Sequence, residues 1–138
     1  MKVLFVGSNP GSASPDNSAF HPSSKTRLTL DSWLRGIDCE RHYVNVADYK
    51  TSNNRALTSK EIRSLLPSLQ SKIESYKDCK IVAVGSAAAK ALKLINVDFL
   101  AIPHPSGRTR QYNDKAFKAA TINALIFFIK GYNINTGV

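Results

Sequence analysis

The side chains best suited to chemistry fall in three short stretches. The first is Gly7-Ser8-Asn9-Pro10-Gly11. Its glycines permit a tight turn and a close approach of backbone to ligand. Pro10 fixes the turn, and Asn9 is then a rigidly held amide. The same five residues also describe a plain Gly/Asn/Pro turn with no further role. They form neither a phosphate-binding GKS/T loop nor a GxGxxG fingerprint. The second is Asn45, a polar amide inside the apolar run His42 to Ala47. Facing a core, it needs hydrogen-bond partners. Facing a ligand, it offers donor and acceptor together, the pattern that reads a base edge. The third is Pro103-His104-Pro105-Ser106-Gly107-Arg108-Thr109-Arg110. Prolines on both sides stiffen His104. Ser106, Gly107, Arg108 and Arg110 form a kit for backbone phosphates, and the two arginines are alternatively solvated charges.

Each stretch lies within or directly after an apolar run that reads as a strand. Lys2 to Val6 is closed by Gly7, His42 to Ala47 is a second strand, Lys80 to Val84 is stopped by Gly85, and Asp98 to Ile102 precedes Pro103. Helical spacing lies between them. Arg27 to Leu34 is a short helix ended by Gly36. Thr58 and Glu61 form a capping box ahead of Ile62, Leu65, Leu66, Leu69 and Ile73. Ser86 caps a small-residue helix to Leu94, and the last helix runs from Tyr112 or Asn113 to Lys130. Strands alternating with helices predict an α/β fold, a three-layer α/β/α sandwich around a four-stranded parallel sheet. Right-handed crossovers put the loops after strands one, two and four on one rim, where ligands bind in such sheets.

Composition bounds the partners. The 138 residues fit one domain, 1–138, without repeats or linkers. Nineteen basic against ten acidic residues give +9, which suits a polyanionic partner or an anionic substrate. No apolar run approaches a membrane span. Cys39 and Cys79 lie outside any CxxC or Cys/His cluster, which favours a reducing cytosol and argues against a structural metal site. The expectation is a cytoplasmic or nucleoid-associated monomer with no metal or organic cofactor.

The first and third stretches resemble the two active-site motifs of the uracil-DNA glycosylase superfamily. Gly7-Ser8-Asn9-Pro10-Gly11 is similar to the GxNPG form of its mismatch-specific and single-strand-selective branches. The middle resembles the iron–sulfur branch, through Asn45 to Lys50, Asn54 to Thr58, Glu61, Pro67 to Leu69 and Lys80 to Ala88. The resemblance covers residues 2 to about 128 and implies DNA as partner and base excision as activity. It implies that Asn9 orients the attacking water, and that Asn45 reads the Watson–Crick edge of a pyrimidine. His104 would hydrogen-bond the base oxygen that gains charge, with Gly7 and Ser8 beside the base. Ser106, Gly107, Arg108 and Arg110 would hold the DNA backbone. Phe20 falls where the family often stacks an aromatic on the extruded base; a plain core role for Phe20 is the alternative, and His21 is its neighbour.

The chain departs from that pattern in two ways. At two cysteine positions of the iron–sulfur branch it has Tyr49 and a leucine near Leu65, and the N-terminal pair is missing, so no cluster is implied. Where the fastest branches use Asp, it has Asn9, which cannot act as a base, so slow excision is expected. The reading favoured is a monofunctional glycosylase acting on uracil or a modified pyrimidine. Two alternatives are an enzyme of the same fold acting on hydroxymethylated or hypermodified pyrimidines of phage-type DNA, and a non-catalytic nucleic-acid binder.

Overall fold

Alternating residues of the apolar runs are buried on opposite faces of one sheet. The computed structural model describes residues 1–105 and 109–131. Strands β1 (Lys2–Gly7), β2 (Glu40–Asn45), β3 (Lys80–Val84) and β4 (Leu100–Ile102) lie in the order β2-β1-β3-β4, and every pairing is parallel. Helices α1 (Lys25–Trp33) and α4 (Lys115–Lys130) cover one face, and α2 (Ser59–Glu74) and α3 (Ser86–Leu94) cover the other. Val3, Phe5, Val82 and Val84 point toward Leu30, Trp33, Leu125 and Ile129. Leu4, Val6, Ile81 and Ala83 point toward Ile62, Leu69, Ala88 and Leu92. This is the three-layer α/β/α arrangement expected from the sequence. Two 3-10 turns, Ser52–Asn54 and Arg110–Asn113, sit in the connections after β2 and β4.

Element ends differ from the sequence reading where side chains or pairing decide them. β2 spans Glu40–Asn45 rather than His42 to Ala47, because Lys2 pairs with Glu40 and Gly7 with Asn45. The ladder then runs on into the loops, with Val46 N donating to Gly7 O and Ala47 N to Ser8 O, both 2.9 Å. α1 starts at Lys25, ahead of Arg27, because the Ser24 hydroxyl accepts from Arg27 N. α4 starts at Lys115 because the Asp114 carboxylate accepts from Ala116 N and Phe117 N. β4 is shorter than the run from Asp98, pairing only from Leu100. The Thr58–Glu61 capping box is present in both directions.

Cys39 packs against the α1/α4 face and Cys79 against the α2/α3 face, so the sheet separates the two thiols. Among the described residues, no helix is long and apolar enough to cross a membrane.

Leu69 is fully buried between α2 and the sheet. Leu69→Ala is expected to lower the unfolding free energy by about 2–5 kcal/mol, read from urea melts with an unchanged m-value. A loss below about 1 kcal/mol would show that this layer is not packed as described.

Candidate functional site

Because the sheet is parallel, all four strands deliver their carboxyl ends to one rim. Gly7, the last residue of β1, sits opposite Asn45, the last residue of β2. A Cβ built on Gly7 would lie 2.6 Å from Asn45 Oδ1 and 2.9 Å from two carbons of the Phe20 ring. The amide and the aromatic ring therefore meet over the one α-carbon that leaves room for both. A Cβ on Gly11 meets nothing within 4 Å, so the demand for glycine lies at Gly7.

Asn45 is 4% exposed. Its backbone carbonyl accepts from Lys72 Nζ at 2.8 Å, which anchors the strand end to α2. Its side-chain amide makes no hydrogen bond to a described residue and lines the cavity instead. Buried amides are normally paired, so this amide has donor and acceptor capacity left for a ligand.

Phe20 has a left-handed backbone, φ +52°, which is uncommon for an aromatic residue. Its carbonyl accepts from Arg27 Nη1 at 3.2 Å, and its ring packs 5.3 Å from Tyr43 and 6.5 Å from Phe5. Arg27 in turn lies over the Tyr43 ring, 4.1 Å from its centroid. Phe20 thus packs against the core and also lines the cavity. His21 also lines the cavity, with its Nδ1 accepting from Ser23 N at 3.1 Å.

Asn9 is held at both ends of its amide. Ser8 Oγ donates to Asn9 Oδ1 at 2.9 Å, and Asn9 Nδ2 donates to Thr51 Oγ1 at 3.4 Å. Thr51 is 7% exposed, and its hydroxyl donates to Arg55 O at 2.5 Å. With its proton committed, the Thr51 oxygen can only accept from Asn9. That fixes Nδ2 toward Thr51 and leaves Oδ1 with one further lone pair. Two more bonds tie the same loops together. Ser12 N donates to Asn54 Oδ1 at 2.8 Å, and Lys50 Nζ donates to Ser14 O at 2.6 Å.

His104 follows β4. Its Nε2 lies 3.4 Å from Thr26 Oγ1 on α1, and its carbonyl accepts from Thr109 Oγ1 at 2.6 Å. The neighbouring Pro103 carbonyl accepts from Tyr112 Oη at 2.5 Å. The imidazole is reachable by solvent through the cavity mouth, but protein surrounds it elsewhere. That burial pushes its pKa below the usual imidazole value. That shift favours the neutral ring, which carries one N–H donor.

Gly7, Ser8, Asn9, Phe20, Asn45 and His104 all line one cavity of about 670 Å³, a volume typical of small-molecule sites. Arg110 is brought elsewhere: it is exposed in the 3-10 turn before α4 and does not line this cavity. Ser106, Gly107 and Arg108 lie outside the described residues. The sequence reading missed Thr26, Thr51, Asn54 and Arg55. It also left out the β3 exit, where Gly85, Ser86 and Ala87 line the cavity; Ser86 is the first residue of α3 rather than its cap, with Gly85 at the N-cap and no side-chain cap bond. The available signal was Gly85-Ser86 itself, since every parallel strand ends on this rim.

The chain matches the family described as the uracil DNA glycosylase superfamily over residues 1–126. It belongs to that superfamily. A comparison with curated proteins finds no match. The positions where the resemblance to the iron–sulfur branch implies cysteines, Tyr49 and a leucine near Leu65, make other contacts here. Tyr49 Oη donates to Glu61 Oε2 at 2.7 Å, and Leu65 packs against the α2/α3 core. Glu61 also accepts from Arg55 Nη1 at 2.7 Å and from Thr58 N, and these donors hold its carboxyl well below the usual range. This network sets Arg55 at the cavity rim. An iron–sulfur cluster does not fit these residues, and among the described residues no group of three His, Cys, Asp or Glu gathers to hold a metal.

Two expectations follow for this superfamily member. Gly7→Ala must push Asn45 and Phe20 apart, so it is expected to cost about 1–3 kcal/mol of stability and to abolish binding in the cavity. An unaltered melt with unaltered ligand binding would contradict the close approach. An NMR titration of His104 is expected to give a midpoint below about 6.5. The sign of the linkage follows: the unfolded chain binds the proton more readily, so the contribution to stability is complete above the unfolded value and is lost as pH falls toward the folded one. A midpoint at or above about 6.5 would show that the imidazole is not desolvated as described.

Proposed function

We propose that this protein is a monofunctional DNA glycosylase that hydrolyses the N-glycosidic bond of uracil or a modified pyrimidine flipped out of DNA. The observation that carries the reading is the convergence of Asn9, Asn45, Phe20 and His104 on one cavity. A base in a duplex is out of reach of such a cavity, so it must be extruded, at a cost that stacking and edge hydrogen bonds offset. Phe20 supplies the stacking face. Asn45 supplies a donor and an acceptor to the Watson–Crick edge, and because its backbone is fixed by Lys72 and Gly7 it selects rather than adapts.

Cleavage moves the C1′–N1 electron pair onto the base, leaving an oxocarbenium-like sugar. The base oxygen gains negative charge. The neutral His104 N–H donates to that oxygen, and a preorganised donor of this kind counts for most in a water-poor site. The free lone pair of Asn9 Oδ1 orients a water toward the sugar carbon. An amide cannot take the water's proton, so that proton leaves to the departing base or to solvent after attack on the cation. This assigns Asn9 an orienting role and predicts slow turnover relative to a carboxylate.

The backbone donors at the start of α3, together with Lys25 and Arg55 at the cavity, provide the phosphate grip. Arg110 extends that grip outside the cavity.

The test is an excision assay on oligonucleotides bearing a panel of bases, with abasic sites revealed by alkali. The expected product is an abasic site with the strand intact until alkali is added. His104→Ala is expected to lower kcat about 10²–10³-fold with DNA affinity changed only a few-fold. Intact DNA across the whole panel at high enzyme concentration would overturn the reading.

A further inference from the structure

A second recess lies beside the first and is not used by the chemistry above. One face of α1 presents Lys25, Leu28, Thr29 and Trp33, and Pro105, Tyr112 and Lys118 close a groove of about 310 Å³ against it. The spacing of the α1 residues is that of one helical stripe. Leu28 is 56% exposed, an apolar side chain of this helix left without cover. Trp33 packs edge-on to Tyr112 with centroids 5.2 Å apart, and together they form the aromatic back wall. The Trp33 indole N–H has no hydrogen-bond partner among the described residues. The ammonium groups of Lys25 and Lys118 likewise have no ion pair or hydrogen bond among them. Tyr112 is already committed through its hydroxyl to Pro103 O, so it offers the groove its ring.

Two features connect the groove to the base cavity. Lys25 lines both. Pro105 of the groove directly follows His104 of the cavity. The two recesses are therefore contiguous, sharing Lys25 and the His104–Pro105 peptide.

We propose that this groove binds the unpaired nucleobase of the nucleotide next to the one being excised, with Lys25 and Lys118 on the intervening and flanking phosphates. Its apolar and aromatic walls suit the face of any base, and its free indole donor suits a base edge. A base held here has left the duplex stack. The substrate class is therefore single-stranded DNA, or DNA opened over two neighbouring nucleotides. This deepens the glycosylase reading and rests on it.

Trp33 is the chain's one tryptophan, so its fluorescence reports on the groove directly. The probe is a short single-stranded oligothymidylate, with binding followed independently by anisotropy of a labelled copy. The expected result is saturable quenching of Trp33 that tracks binding, with little quenching by a fully paired duplex of the same length. Leu28→Glu and Lys118→Ala change exposed positions and are expected to retain the wild-type melting temperature. Leu28→Glu is expected to weaken binding about fivefold or more. Lys118→Ala is expected to reduce the salt dependence by about one phosphate contact. Binding without quenching, or binding indifferent to both variants, overturns the groove and leaves the glycosylase reading standing. Equal quenching by the duplex overturns the single-strand assignment. No binding at all overturns the groove, and the glycosylase reading is then decided by the excision panel. Quenching and binding with no excision of any base supports the groove and removes the glycosylase reading.

Discussion

The missing Cβ at Gly7 is the constraint on which the site depends. Two side chains from different parts of the chain, the Asn45 amide and the Phe20 ring, occupy the space a methyl group would take. Neither could sit there without the other elements around it. Asn45 is delivered by the parallel pairing of β2 with β1 and is pinned through its carbonyl by Lys72. Phe20 is delivered by a backbone turn in the left-handed region, which costs free energy and is held by Arg27. The sheet's inner layers make that cost bearable, since Phe5 and Tyr43 pack beneath the Phe20 ring.

Orientation matters as much as proximity. An amide can point either end into a cavity, and only the hydrogen bonds around it decide which. Thr51 decides it for Asn9, because its own proton is spent on the Arg55 carbonyl. The turn that carries Thr51 is held in place by Asn54 on Ser12 and by the Arg55–Glu61–Tyr49 network. Partial burial lowers the pKa of the third group, His104, which favours its neutral, N–H-donating form. The site is thus a set of uncharged hydrogen-bonding groups in a basic protein. In the proposed reaction the net charge would attract DNA without discrimination, and the neutral groups would supply the selectivity.

Much of this was legible in the sequence for a simple reason. Strands here are short apolar runs that stop at Gly7, Gly85 or Pro103, and in a parallel sheet the residues at those stops share a rim. Asn9, Asn45 and His104 stand at or just after strand ends, so topology alone brings them together. Thr51, Thr26 and Asn54 were not legible. Their roles depend on loop backbones such as the left-handed Asn53 and Asn54, which no period announces. Arg110 was grouped with His104 because it is near in sequence, but the 3-10 turn carries it away from the cavity. The groove on α1 was hidden for the opposite reason. Leu28 and Trp33 have the spacing of ordinary core positions on a helix, and only packing shows that Leu28 is 56% exposed.

The most direct measurement of the central claim is a titration of the protein with free uracil, followed by NMR at the side-chain amides of Asn9 and Asn45 and the ring of His104. The account predicts that all three respond together along one saturable curve, because one bound pyrimidine touches all of them. Resonances that stay still, or that move along separate curves, would contradict the claim that these loops build a single base-binding site.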